Sequence, residues 1–179
     1  MEIETERLLL RRYVLEDAEE QLRIVSDAEF RRHFPESYRP TRDQVLLWFG
    51  ATGEHWRQFG YGVWALELKE GRRLVGYCGL RHLAPTDEVE LLYGCDRAYW
   101  GRGLATEAGR ASLRYGFGRV GLARVMAVTD EDNRGSRRVM EKCGMRYERD
   151  AVYFDLPVVY YAINRDDWRD DGSPYRERE

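Results

Sequence analysis

Tyr99-Trp100-Gly101-Arg102-Gly103-Leu104-Ala105-Thr106-Glu107-Ala108 decides how this chain is read. The stretch stands between a strand-like run, Val89-Glu90-Leu91-Leu92-Tyr93, and a helix-like run from Ala105 to Gly118. Two glycines one residue apart, where a helix begins, leave bare backbone open to a ligand. The first amides of a helix have no partner within it, and the helix dipole adds positive potential there. Together these features make a phosphate site. A glycine pair alone also fits a tight strand-to-helix turn with no ligand.

A second motif adds weight about thirty residues on: Asn133-Arg134-Gly135-Ser136-Arg137-Arg138-Val139-Met140-Glu141-Lys142-Cys143-Gly144-Met145. A third lies at the start, Thr5-Glu6-Arg7-Leu8-Leu9-Leu10-Arg11 followed by Glu16-Asp17-Ala18. In this order and spacing, from about Thr5 to Trp168, the chain resembles the GNAT superfamily of acetyl-CoA-dependent N-acetyltransferases, most of all its RimJ/RimL branch. Met145 stands where the family usually has Phe, a swap of one large apolar side chain for another. The resemblance implies a mixed α/β fold in which a mostly antiparallel sheet of six to seven strands is flanked by about four helices. It implies one domain over 1–179, with an ordered core from about 5 to 168 and a charged tail at 169–179.

The bulk properties agree with a globular chain. At 179 residues, 43% hydrophobic and 13% aromatic, the chain is long enough for one well-buried core. A net charge of -3 gives no nucleic-acid footprint. No apolar run approaches the ~20 residues that span a bilayer, and Glu2 and Glu4 do not open a secretory signal. Cys78, Cys95 and Cys143 are odd in number and set in apolar runs, so they read as buried thiols of a cytoplasmic protein. Neither they nor His33, His55 and His82 have metal-ligand spacing, so no metal is expected.

Along the chain, Arg7 to Tyr13 reads as a strand and Leu15 to Val25 as a helix. Ala28 to Pro35 reads as a broken helix, and Thr41 and Gln44 as a capping box that opens the helix Arg42 to Gln58. Tyr61 to Leu68 and Leu74 to Leu83 form a hairpin around Lys69-Glu70-Gly71-Arg72, and Glu88 to Cys95 follows as the next strand. Arg124 to Thr129 is a strand and Ser136 to Lys142 a helix. Tyr147 to Tyr153 and Val158 to Asn164 close the sheet, and the tail, with Pro174, frays.

The resemblance assigns chemistry residue by residue. The backbone of Gly101, Arg102, Gly103, Leu104, Ala105 and Thr106 would hold the pyrophosphate of coenzyme A, with Arg102 free to pair with a phosphate. The strand before the loop commonly carries a bulge in this family, which frees main-chain groups near Tyr93 and Cys95 for the cofactor arm and an oxyanion. Glu90 occupies the position of a general base, and an alkylammonium of pKa ~10.4 must lose a proton before attack. Otherwise Glu90 is a solvated strand residue. Where many relatives place a tyrosine acid, seven residues after Asn133, this chain has Met140, so Ser136, one helical turn earlier, is the candidate partner of the leaving thiol. Asn133 would anchor the cofactor arm through its side-chain amide, and both Asn133 and Ser136 also read as caps of the helix they begin. Asp155 is a reserve base near the acceptor mouth, or a residue that orders its own turn.

A dinucleotide site is the rival reading. It wants a small residue where Thr106 stands and an acid about 20 residues after the glycines, whereas Asp130 comes 27 after Gly103. The resemblance implies acetyl transfer from acetyl-CoA to a primary amine, and with no base beside Cys95 in the sequence the expected route is direct attack. Protein N-terminal amines are the acceptors implied by the branch. Small-molecule amines, and a non-catalytic acetyl-CoA-binding protein of the same fold, are the alternatives. A homodimer is left open.

Overall fold

The computed structural model describes residues 1–34, 38–153 and 156–178. Among them the strands are β1 (Glu2–Thr5), β2 (Leu8–Arg11), β3 (Val63–Leu68), β4 (Arg73–Leu83) and β5 (Glu88–Cys95), then β6 (Arg124–Thr129), β7 (Arg146–Tyr153), β8 (Leu156–Asn164) and β9 (Tyr175–Arg178). They form one sheet in the order β7-β8-β6-β5-β4-β3-β2-β1-β9. Every pairing is antiparallel except that of β5 with β6. The helices are α1 (Ala18–Ser26), α2 (Ala28–Arg31), α3 (Arg42–Phe59), α4 (Leu104–Arg114) and α5 (Arg134–Lys142).

Local sequence accounts for most boundaries. α3 opens on the expected box: Thr41 Oγ1 accepts from the Gln44 amide at 3.3 Å, and the Thr41 amide donates to Gln44 Oε1 at 2.9 Å. α1 is preceded by a 3-10 turn, Leu15–Asp17, instead of starting at Leu15. α4 ends in a wide turn of π geometry, Tyr115–Val120, from which the Tyr115 hydroxyl donates to Gly60 O at 2.8 Å. Pro35, the expected stop of the helix begun at Ala28, lies outside the described residues.

Two expectations need correction. The sheet has nine strands, not six to seven, because both termini add to it. The tail, expected to fray, returns as β9 and pairs with β1 from Glu2↔Arg178 to Thr5↔Tyr175. On the way it is held to α4, where Asp171 pairs with Arg110 at 2.7 Å and Asp170 with Arg114 at 3.2 Å. The Arg114 guanidinium also lies 4.5 Å from the centre of the Tyr175 ring. Charge alone signals fraying only where it has no partners.

The core divides by sheet face. α4 and α5 cover one face through Leu104, Ala108, Ala111, Met140 and Cys143, packed on Val89, Leu91 and Cys95 of β5. Met145 is buried here, so the family's Phe position keeps its apolar role. α1, Phe30 and Val45 cover part of the other face, over Val63, Ala65, Leu74 and Tyr77. Beyond them that face carries a small cluster of Met126, Tyr160 and Ala162, with Leu83, Val128, Ala151 and Tyr153 around it. Among the described residues no helix belongs to that cluster, which leaves a bay beside β5 and β6.

Candidate active site

β5 pairs with β4 in unbroken register from Glu88↔Leu83 to Cys95↔Gly76. The bulge expected in this strand is absent on that side, and the register shift lies between β3 and β4, at Leu66/Glu67. What frees the β5 backbone is its other edge, where it meets β6 at a single pair, Glu90↔Met126, before the two strands diverge. The Asp96 amide donates to Val75 O at 2.8 Å, continuing the ladder to β4. By the alternation of an antiparallel ladder, the main-chain groups of Tyr93 and Cys95 therefore point into the gap. The Cys95 carbonyl is taken by Trp100 Nε1 at 2.7 Å.

The glycine loop lies at the mouth of this gap. Gly101 and Gly103 have φ of 74° and 79°, the left-handed region that L side chains rarely adopt. A Cβ at Gly101 would meet nothing within 4 Å, and one at Gly103 would meet only Arg7 Nη2 at 3.6 Å. The cradle is thus open, and the first turn of α4, from Leu104 to Thr106, presents its amides to it. The shape and dipole fit a diphosphate. The Arg102 guanidinium lies 5.1 Å from the centre of the Tyr99 ring, and among the described residues it has no carboxylate partner.

The opening motif explains how this loop is held, a role that sequence reasoning did not assign. Glu107 Oε1 accepts from Thr5 Oγ1 at 2.6 Å and from the Arg7 amide at 2.8 Å, and Oε2 accepts from Arg7 Nε at 2.7 Å. Arg7 Nη1 then donates to Arg102 O at 2.7 Å. One arginine ties β2 to the helix and to the loop together. The later part of the same motif is also structural: Arg11 binds Asp17 through Nη1 and Nη2 at 2.7 and 2.8 Å, and Glu67 through Nε at 2.7 Å. Similar residues in two separate motifs were the signal, but their pairing is visible only in three dimensions.

Across the gap, Asn133 caps α5, its Oδ1 accepting from the Ser136 amide at 3.0 Å. Its Nδ2 has no partner among the described residues. Ser136 Oγ lies 2.7 Å from the Tyr93 hydroxyl, which also donates to Ser136 O at 2.9 Å. Burial pushes the Tyr93 phenol well above its usual range, so it acts here as a hydrogen-bonding group and not as an anion. Met140, at the family's usual tyrosine position, is 1% exposed in the core.

Glu90 projects to the opposite face, toward the bay, as strict alternation requires. It is 6% exposed and its Oε2 accepts from Arg81 Nε at 3.0 Å and from Arg81 Nη2. Among the described residues Oε1 has no partner. Burial raises its pKa and outweighs the opposing effect of the Arg81 charge. The reading of Glu90 as a solvated strand residue is therefore wrong. Asp155 lies outside the described residues.

Burial pushes the Cys95 thiol up to about 12, and the Cys143 thiol also to about 12. A cavity of about 830 Å³ lies between α4, the end of α5 and the tail. Gly103 and Thr106 line it; Glu90, Tyr93 and Ser136 do not. Among the described residues no helix is long and apolar enough to cross a membrane, and no His/Cys/Asp/Glu group is placed to hold a metal ion.

Comparison with known proteins agrees with this geometry. Residues 7–146 match the family described as the acetyltransferase (GNAT) domain. An uncharacterized N-acetyltransferase of Bacillus subtilis, YnaD, is 27% identical, covering 94% of this chain and 99% of its own. A GNAT-family acetyltransferase of Bacillus anthracis superposes with a TM-score of 0.78 at 28% identity, covering 93% of this chain and 99% of its own. The ribosomal-protein-S5-alanine acetyltransferase of Vibrio fischeri, at 18% identity and TM-score 0.74, covering 94% and 99%, shares the fold. The chain belongs to the GNAT family and is an acetyl-CoA-dependent acetyltransferase.

Proposed function

We propose that the protein moves the acetyl group of acetyl-CoA to a primary amine by direct attack, with both substrates bound, as a RimJ/RimL-like member of its family. One observation carries this reading. Glu90 and the Tyr93–Ser136 pair lie on opposite faces of the same strand, at the edge where β5 leaves β6. The acceptor approaches from the bay, where the free Oε1 of Glu90 takes the ammonium proton, directly or through a water. The amide of Tyr93 or Cys95 meets the oxygen that gains charge. The thiol leaves toward α5, where the Ser136 hydroxyl is its hydrogen-bond partner. The glycine loop holds the diphosphate, and Asn133 Nδ2 is free for the pantetheine arm.

A covalent route through Cys95 is disfavoured, because a thiol at about 12 is almost wholly protonated at neutral pH. The RimJ/RimL branch implies a protein N-terminal amine as acceptor, and the fold shared with the S5-alanine enzyme supports that branch. Three buried free thiols suit a reducing cytoplasm.

The test combines binding and turnover. Acetyl-CoA should raise the melting temperature and NAD should not. Free thiol should appear when acetyl-CoA meets a panel of primary amines. Gly103→Glu, which puts charge and bulk into the cradle, should abolish the CoA-induced shift. CoA binding without thiol release on any amine would favour a non-catalytic binding protein instead.

A further inference from the structure

The wall of the bay is aromatic and comes from a segment whose sequence carries no motif. Phe30 stacks on Phe34 with ring centres 5.7 Å apart and planes 13° apart, and Phe34 stacks on Tyr38 at 5.0 Å and 21°. Phe30 also meets Tyr77 of β4 edge-on at 6.4 Å, and Tyr77 meets Trp48 at 5.3 Å. This wall reaches the reaction gap. A Cβ built on Gly94 would lie 2.7 Å from Tyr77 Cε1 and 2.8 Å from Phe30 Cζ, so the ring edges rest on β5 between Tyr93 and Cys95. At the far side His33 Nδ1 bonds Asp130 Oδ2, beyond the end of β6, at 3.2 Å. The segment thus spans the splayed strands.

Two groups of this wall remain accessible. Phe34 is 38% exposed although it is stacked on both sides by rings. Tyr77 is 9% exposed, and its hydroxyl, which makes no hydrogen bond among the described residues, is not one of the fully buried polar atoms. The carboxylates around the bay are already hydrogen-bonded. Glu90 is held by Arg81, Glu88 accepts from the Tyr153 hydroxyl and from the Tyr160 hydroxyl at 2.7 Å, and Asp130 is held by His33. The Arg149 guanidinium covers the Tyr160 ring at 3.8 Å.

Building on the acetyl-transfer reading, we propose that the acceptor is a primary amine carried next to an aromatic ring. The ring inserts beside Phe34 against the Phe30–Tyr77 wall, and the Tyr77 hydroxyl takes a polar atom close to the amine. Stacking and desolvation of one ring supply the selectivity. The ammonium loses one proton to Glu90 and the nitrogen adds to the thioester carbonyl to form the C–N bond; when the tetrahedral intermediate breaks its C–S bond, the second proton leaves the nitrogen and the CoA thiolate is released as the thiol. The ring belongs either to a free arylalkylamine or to the first residue of a peptide.

The test follows thiol release from acetyl-CoA with 2-phenylethylamine, n-butylamine and spermidine, and with two short peptides differing only in an initial phenylalanine or serine. The ring-bearing member of each set should have a kcat/KM at least about ten-fold higher. Whichever of phenylethylamine and the phenylalanine peptide is faster identifies the source. Phe34→Ala, at a half-exposed position, should reduce the ratio to about one, and Phe34→Tyr should restore it. Spermidine or the serine peptide equalling its ring-bearing counterpart overturns the proposal, as does Phe34→Ala slowing every acceptor alike. Should no amine release thiol, the acetyl-transfer reading fails, and the bay is judged by binding to the CoA complex. Tighter binding of phenylethylamine than of butylamine, lost in Phe34→Ala, then supports the aromatic site, and equal affinities overturn it.

Discussion

The two faces of β5 are built by different rules. On the α4–α5 face, each site residue belongs to a short motif: two glycines at a helix start, an asparagine that caps the next helix, a serine three residues later. Their partners are local or are supplied by another motif, as Thr5 and Arg7 are supplied to Glu107. On the bay face the residues come singly, from a neighbouring strand or from distant segments. Arg81 meets Glu90, Tyr160 meets Glu88, and Phe30 and Tyr77 meet at Gly94. A phosphate cradle uses main-chain amides and a dipole, which any sequence with the right turn can offer. Recognition of an acceptor and of its proton depends on side chains, whose positions depend on packing. In the proposed reading, the cofactor half therefore depends on main chain and the acceptor half on packed side chains.

Breaking the bay face at its acid should have the largest effect. Glu90→Gln should lower kcat by ~10²–10⁴-fold and leave CoA affinity nearly unchanged. Burial raises the Glu90 pKa, so the wild-type rate should fall on acidification at a pH above the ordinary carboxylate range, where the base becomes protonated. Glu90→Gln should remove that limb. Arg81→Gln removes the opposing charge and should move it further up. The groups near Glu90 that bear on this profile are Arg81, Glu88 and Tyr77. Full activity in Glu90→Gln with loss in Asp155→Asn would transfer the base to the later loop.

Breaking the other face at its latch should cost stability and cofactor binding together. Glu107→Ala removes the partner of Thr5 and Arg7, worth ~1–2 kcal/mol after allowing for the exposure of Arg7. The melting temperature should drop, CoA should bind several-fold more weakly, and the pH profile should keep its shape. An altered acidic limb in this variant would mean that the two faces are coupled.

The smallest effect sharpens the comparison at the strand itself. Cys95→Ala deletes a buried thiol that neither face uses, so turnover should change less than about three-fold, with stability reduced modestly by the lost packing. An acetylated Cys95 trapped during turnover would replace direct attack by a covalent route.

The regularities of single elements were legible without coordinates. β5, β6 and the capping box of α3 fall where alternation, turn residues and the Thr41–Gln44 spacing predict them, because period and caps are local. The opening motif was visible as a pattern, but its work was not, since an arginine on a short strand does not say which carboxylate it will find. The tail was misread for the same reason: Asp170 and Asp171 look like solvent charges until α4 brings Arg114 and Arg110 beside them.

What the sequence alone determined is the glycine turn at a helix start, proposed as the phosphate cradle, and the family that this turn and the Asn133 motif mark. What only the tertiary structure decided is the divergence of β5 from β6, the burial of Glu90 under Arg81, the contact of Tyr93 with Ser136, and the aromatic wall laid across Gly94. Dihedral preferences and helix ends act over a few residues, so their signals are contiguous. Burial and side-chain contact depend on segments that can lie a hundred residues or more apart, and no short window of sequence carries that information.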